Sequence, residues 1–236
     1  MNIKTNNIKP FIINDGSIEV LKLLALVLMT VDHINRYFFD ENIVFAFNIG
    51  RIAMPLFGFV LAYNLSRPDA AHSGLYGRIF KKLIFCGLVT TPFYILLGLE
   101  VKGIFFGWWP LNIMFTMLIS AIVIYLIELK GHVNFAAFFV FLFGGALVEF
   151  WWFGILFCIC SWMFCKRYDR TSFACMLISC ALFYFVNGNF WSLASLPLII
   201  MAYALEIKIE RHRYLFYIYY PLHLSIIYFI FIFIQI

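Results

Sequence analysis

The stretch IEVLKLLALVLMTVDHINRYFF, Ile18 to Phe39, is long enough to cross a bilayer, yet it carries Lys22, Asp32 and His33 within its apolar run. A spanning helix needs about 20 mostly apolar residues. Ionisable groups at that depth are costly, and they usually face a bundle interior or a water-filled cavity. Lys22 and His33 are eleven residues apart. At about 100° and 1.5 Å per residue they share nearly one helix face, roughly 16 Å apart along the axis. A polar groove through a helical bundle is the expectation.

Composition agrees. Hydrophobic residues make up 64% of the 236, charged residues only 12%, and the mean hydropathy is +0.95. The alternating pattern of a membrane β-barrel is absent, so the chain reads as an all-α, polytopic transmembrane bundle. Residues 1–16 form a polar, disordered or interfacial tail, and 17–236 form a single transmembrane domain. The first apolar run is long enough to be retained rather than cleaved. The six cysteines fall in apolar spans without a ligand cluster beside them, so they read as packing residues rather than as a disulfide framework or a metal site.

Nine spans are expected, at about 18–39, 43–65, 79–99, 110–129, 133–150, 152–165, 173–187, 191–205 and 214–236. The sixth is short enough to be re-entrant. With the N-terminus cytoplasmic, the inner segments hold Lys4, Lys9, Arg67, Arg78, Lys81, Lys82, Lys130, Lys166, Arg167, Arg170, Lys208, Arg211 and Arg213. The outer loops hold only Lys102. That bias places positive charge inside, requires the sixth segment to cross, and puts the C-terminus outside. Trp108, Trp109, Trp151, Trp152 and Trp191 then mark the outer ends of spans, as an aromatic belt would.

On this topology Asp32, His33, Arg51, Asn112, Glu149 and His223 converge on the outer half of the bundle. Lys22 and the basic loop Arg67–Lys82 form an inlet at the inner end. Each residue has a plainer role open to it. Lys22 can snorkel to headgroups, Asp32 is placed to pair with Arg36 at i+4, and Arg51 can neutralise Asp32 or Glu149. His33 and His223 can be packed interhelical histidines, and Glu149 can be solvated at the interface. Arg78, Lys81 and Lys82 can be simple positive-inside signal, or an anion site for the phosphates of a cytoplasmic cofactor. No phosphate-binding glycine loop occurs, which argues against nucleotide hydrolysis. Nothing points to nucleic acid.

The blocks KLLALVLMTVDHIN (Lys22–Asn35) and GRIAMPLFGFVLAYNLSR (Gly50–Arg67) closely resemble the TraX family of conjugative-plasmid and bacterial inner-membrane proteins. The likeness continues through Asn112-Ile113-Met114-Phe115, Phe153-Gly154-Ile155-Leu156 and YIYYPLHLSII (Tyr217–Ile227). The Lys22-to-His33 spacing is also similar to the Arg/Lys-x10-His pattern of acyltransferase family three. The resemblance implies a membrane-embedded acetyltransferase that moves an acetyl group from acetyl-CoA to the N-terminus of a pilin, without a metal. It implies His33 as base or transient acetyl carrier, with Asp32, Arg51 and His223 catalytic beside it. Lys22, Arg78, Lys81 and Lys82 would hold acetyl-CoA, and Asn112 would contact the substrate. Glu149 is added to the substrate contacts from topology alone. Alternatives are an O-acetyltransferase for an envelope glycan, a proton-coupled transporter using Asp32, His33 and His223, and a membrane scaffold.

Overall fold

A computed structural model describes residues 11–68, 70–71, 73–102, 108–129 and 133–235. Lys4, Lys9 and Lys130, like the side chain of Lys102, lie outside the described residues. Every apolar stretch marked in the sequence is helical. Helix α1 is Asp15–Phe38, α2 Val44–Gly50, α3 Ala53–Ser66, α4 Leu75–Lys102, α5 Ile113–Leu129 and α6 Val133–Leu147. Then follow α7 Trp151–Arg167, α8 Arg170–Ala181, α9 Tyr184–Asn187, a 3-10 turn Trp191–Ala194, α10 Ser195–Ala204 and α11 Leu215–Gln235. No β-strand occurs among the described residues.

By length and apolarity four helical units can cross a membrane: Val44–Ser66, Leu75–Gly98, Arg170–Asn187 and Leu215–Ile234. Ile113–Leu129, Asn134–Leu147 and Trp191–Ala204 are apolar but shorter. This is the architecture of a helical membrane protein.

The second expected span is not one continuous helix. Arg51 N–H bonds to the Asn48 carbonyl at 3.2 Å and Ile52 N–H to the Ile49 carbonyl at 3.1 Å. These tighter three-residue bonds separate α2 from α3. Helix α3 is apolar all round, and Ala53 through Tyr63 are buried without interruption. A helix of that kind belongs at the centre of a bundle, and α1, α5, α7 and α10 pack around it. Gly58 sets the α3–α7 spacing, since a Cβ there would meet Cys158 Sγ at 3.1 Å and the Phe157 ring at 3.2 Å. Small residues let membrane helices approach in this way. The cysteines are free thiols, five of them buried.

Two loop segments matter for the site. Residues 11–14, expected as part of a loose tail, are packed: Phe11 stacks on Tyr203 at 4.6 Å, and Ile13 N–H donates to the Tyr63 hydroxyl at 3.0 Å. Two apolar side chains in a polar stretch are enough to seat it. The α10–α11 connection lies along the start of α1. Ser17 Oγ donates to the Leu205 carbonyl and Ile207 N–H to Ser17 Oγ at 3.3 Å. His212 N–H donates to Glu19 Oε1 at 3.2 Å. Gly16 permits this, because the Ile207 carbonyl occupies the place of its missing Cβ.

Candidate active site beside a central polar cavity

The centre of the site is a pair of histidines 190 positions apart in sequence. His33 Nδ1 lies 2.7 Å from His223 Nε2, with the rings 10° from parallel. Each is delivered by a helix that the apolar pattern specifies, α1 and α11. His223 Nδ1 lies 3.2 Å from the Tyr219 carbonyl one turn back. A carbonyl can only accept, so with neutral rings His223 carries its proton on Nδ1. Its Nε2 then accepts from His33 Nδ1–H, which leaves Nε2 as the lone pair of His33. That tautomer gives His33 the arrangement a general base needs, a lone pair on one nitrogen and a hydrogen-bond partner on the other.

Beside the pair, Asp32 forms an ion pair with Arg51 Nη2. Both side chains are about 15% exposed. Arg51 is further fixed by a 3.2 Å bond from Nε to the Phe47 carbonyl and by stacking 4.3 Å over the Phe47 ring. The helix break at Gly50–Ile52 aims it there. The expected Asp32–Arg36 pairing is corrected: Arg36 instead faces Glu41, at 3.6 Å. Helix spacing alone favoured i+4, but the neighbouring helix brings a guanidinium closer. Gly50 is where α1 and α2 nearly touch, and a Cβ there would lie 2.5 Å from the Asp32 side chain.

Glu149 joins these groups through a fixed turn. Leu111 N–H donates to the Leu147 carbonyl and Glu149 N–H to the Leu111 carbonyl, both at 2.8 Å. Thr116 Oγ1 donates to the Glu149 carbonyl at 2.5 Å. Phe150 and Trp151 follow at φ of +64° and +53°. Left-handed conformations cost such residues of order 1–3 kcal/mol each and cluster at functional sites. The backbone at Glu149 is therefore held in place, with its side chain half-buried.

Two larger cavities each share wall residues with a small central one. A central one of about 50 Å³ is walled by Asp32, His33, Arg36, Arg51, Glu149 and Tyr220, among others. An outer one of about 570 Å³ shares Arg36, Arg51, Glu149 and Phe150 with it and adds Tyr37, Tyr94 and a wall of Trp109, Trp151 and Trp152. An inner one of about 380 Å³ shares Phe57 with the central cavity. The inner cavity contains Lys22, Arg78, Lys82, Arg211 and Arg213 against the single carboxylate Glu19. Lys22 is 2.6 Å from Glu19 and donates to the His212 carbonyl at 2.7 Å. Arg78 donates to the Ser73 carbonyl at 2.8 Å, and Lys82 sits 4.3 Å over the Tyr214 ring. Lys22 lines the basic cavity and His33 the central one, and the residue these two walls share is the apolar Phe57, so the single groove expected from their spacing is here a pair of neighbouring cavities; His223 lines none of the three.

Not every candidate lines these cavities. Lys81 is exposed on the other face of α4 and lines a separate groove. Asn112 is buried and committed to structure: its amide donates to the Gly87 carbonyl at 3.1 Å and to Thr91 Oγ1 at 3.2 Å, and its carbonyl accepts from Met114 N–H at 3.1 Å. It caps α5 and ties it to α4, outside the three cavities. Sequence reasoning missed Arg211 and Arg213 in the inner cavity, because positive-inside bias already accounted for them. It also missed Tyr37, Tyr94 and Tyr220, which look like ordinary aromatic residues in apolar spans.

Comparison with known proteins finds relatives over parts of the chain. A "Protein TraX" of Escherichia coli is 34% identical over 106 residues, covering 45% of this chain and 38% of that protein. An "Uncharacterized protein RP591" of Rickettsia prowazekii (strain Madrid E) is 37% identical over 76 residues, 31% of this chain and 30% of that protein. The matched stretches thus span 30% and 38% of these relatives' own lengths. No solved structure matches. The model of the family described as "TraX protein" matches residues 17–231, a stretch that includes the histidine pair, the Asp32–Arg51 pair and the basic inner cavity, and the chain belongs to the TraX family.

Proposed function

We propose that the protein is a multi-pass acetyltransferase of the bacterial inner membrane, carrying an acetyl group from cytoplasmic acetyl-CoA to an acceptor at the outer side, foremost the N-terminal amine of a pilin. In this reading the nine helical stretches all cross, the basic end faces the cytoplasm and the C-terminus is outside. The observation that carries it is the His33–His223 pair at 2.7 Å, with His33 in the wall of a small central cavity that shares Arg36, Arg51, Glu149 and Phe150 with the aromatic cavity and Phe57 with the cationic one.

Acetyl-CoA enters with its phosphates among Lys22, Arg78, Lys82, Arg211 and Arg213, and its thioester arm covers the roughly 16 Å to His33. The acceptor amine comes from the outer cavity, where Glu149 and the tryptophan wall position it. An α-amine has a pKa of about 7.7–8.0, so it must shed a proton to attack. As its nitrogen bonds to the thioester carbonyl carbon, His33 Nε2 takes the amine proton. Arg51 and Arg36 face the oxyanion, where a well-placed donor contributes of order 3 kcal/mol. The carbon–sulfur bond then breaks, and the imidazolium returns the proton to the departing CoA thiolate. Asp32 holds Arg51 in position. A glycan hydroxyl in the outer cavity would react by the same steps.

Reconstituted vesicles test this. With acetyl-CoA supplied at the basic end and a peptide with a free N-terminus on the other side, wild type should acetylate the peptide and His33→Ala should not. Equal acetylation by His33→Ala would remove the assignment. Proton-driven solute uptake without any need for acetyl-CoA would favour the transporter reading.

A further inference from the structure

A further concave surface lies outside these cavities. It is a furrow of about 570 Å³ between α4 and α11, and its chemistry is ordered along its length. Lys81 and Lys82 stand at one end, and Phe85, Val89 and Phe93 follow at successive turns of α4. Across from them, Ile218 and Leu222 line α11. Most of its lining is carbon; the polar groups are the two ammonium groups, the hydroxyls of Tyr214, Tyr217 and Ser225 and the Cys86 thiol. The furrow opens sideways rather than to either end of the bundle: Phe85, Val89, Ile218 and Leu222 are exposed on the apolar exterior. Lys82 is held at its head by the rings of Tyr214 and Tyr217, 4.3 and 5.4 Å away.

We infer that this furrow is a seat for one anionic diacyl phospholipid of the leaflet at the basic end, its phosphate on Lys81 and Lys82 and an acyl chain along the α4–α11 wall. Two observations favour this occupant over a protein. The eleven residues from Lys82 to Phe93 rise about 16 Å, close to half the roughly 30 Å hydrocarbon thickness, the depth of one leaflet. The charge is confined to the headgroup end, where basic residues attract anionic lipid; a second copy of this chain would bring the same lysines against their like. Lys82, Tyr214 and Tyr217 also wall the inner cavity, so the bound headgroup lies directly beside the basic inlet.

The test is native mass spectrometry of the full chain released from a mild detergent loaded with equal phosphatidylglycerol and phosphatidylcholine. Wild type should retain one phosphatidylglycerol in preference. Lys81→Ala should weaken that preference about fivefold, the share of one juxtamembrane cation. Leu222→Trp, which fills the furrow at an exposed position, should abolish retention while leaving the melting temperature and the charge unchanged. Equal retention of the two lipids by wild type would overturn the inference. So would undiminished retention by Leu222→Trp, or a dimer mass that Leu222→Trp disperses.

Discussion

Replacing Gly50 with alanine sets two effects of opposite sign against each other. Helix propensity alone favours the change, by up to about 1 kcal/mol. The structure opposes it. The new Cβ would lie 2.5 Å from Cβ, Cγ and Oδ1 of Asp32, about 0.9 Å short of the 3.4 Å at which ordinary contact begins. Nearly an ångström of separation between α1 and α2 must follow, at the point where Arg51 reaches across to Asp32. Overpacking of this kind costs about 1–3 kcal/mol, and loosening a buried ion pair adds to it. The net effect is a loss of about 1–2 kcal/mol, or roughly 2–8 °C in melting temperature for a chain of this size. A displacement of this order near reacting groups also costs about 10²-fold in rate. Thermal unfolding in detergent, followed by tryptophan fluorescence, reads the first quantity, and acetyl transfer reads the second. Adding Asp32→Gly removes the atoms that collide, so the double variant should be more stable than the two single losses summed, while transfer stays low for want of the Arg51 partner. A Gly50→Ala protein that melts higher than wild type and transfers at full rate would refute this account of the α1–α2 contact.

Other consequences can be checked separately. His223→Ala removes the acceptor that orients His33 and should lower turnover about 10²-fold or more, with an unchanged KM for acetyl-CoA; His223→Gln, whose amide oxygen can accept, should recover part of it. Arg78→Ala should raise the KM for acetyl-CoA several-fold, whereas Lys81→Ala, outside the inner cavity, should not; equal effects would show that only overall charge matters. Asn112→Ala strands a buried carbonyl and the Met114 N–H and should cost about 1–3 kcal/mol of stability, visible as a lower melting temperature at unchanged KM. A fall in turnover with no change in melting would instead make Asn112 a substrate contact.

The helical stretches were legible in the sequence because apolar runs bounded by charge report where a chain can be buried. The run at 43–65 became Val44–Ser66, and the run at 214–236 became Leu215–Gln235. Lys22 and His33 also marked two cavity walls, since eleven residues of one helix fix both face and separation, but not that the apolar Phe57 is what those walls share. What failed were the features set by a neighbouring element. Asp32 had two expected partners, Arg36 at i+4 and Arg51 from the next span, and only the folded chain decides for Arg51. The break at Gly50–Ile52 carries no proline to mark it, and the Glu149 turn depends on left-handed Phe150 and Trp151, which no turn residue signals. The α10–α11 connection brings Arg211 and Arg213 to the inlet by hydrogen bonds to α1 that only the folded chain contains.

The most direct test is release of free CoA from labelled acetyl-CoA by the purified full chain, wild type beside His33→Ala, in the presence of a peptide with a free N-terminus. The expected result is CoA release and label on the peptide with wild type alone, at matched melting temperatures. Release and labelling by both proteins at the same rate would contradict the central claim, that His33, in the wall of the central cavity, takes the acceptor's proton.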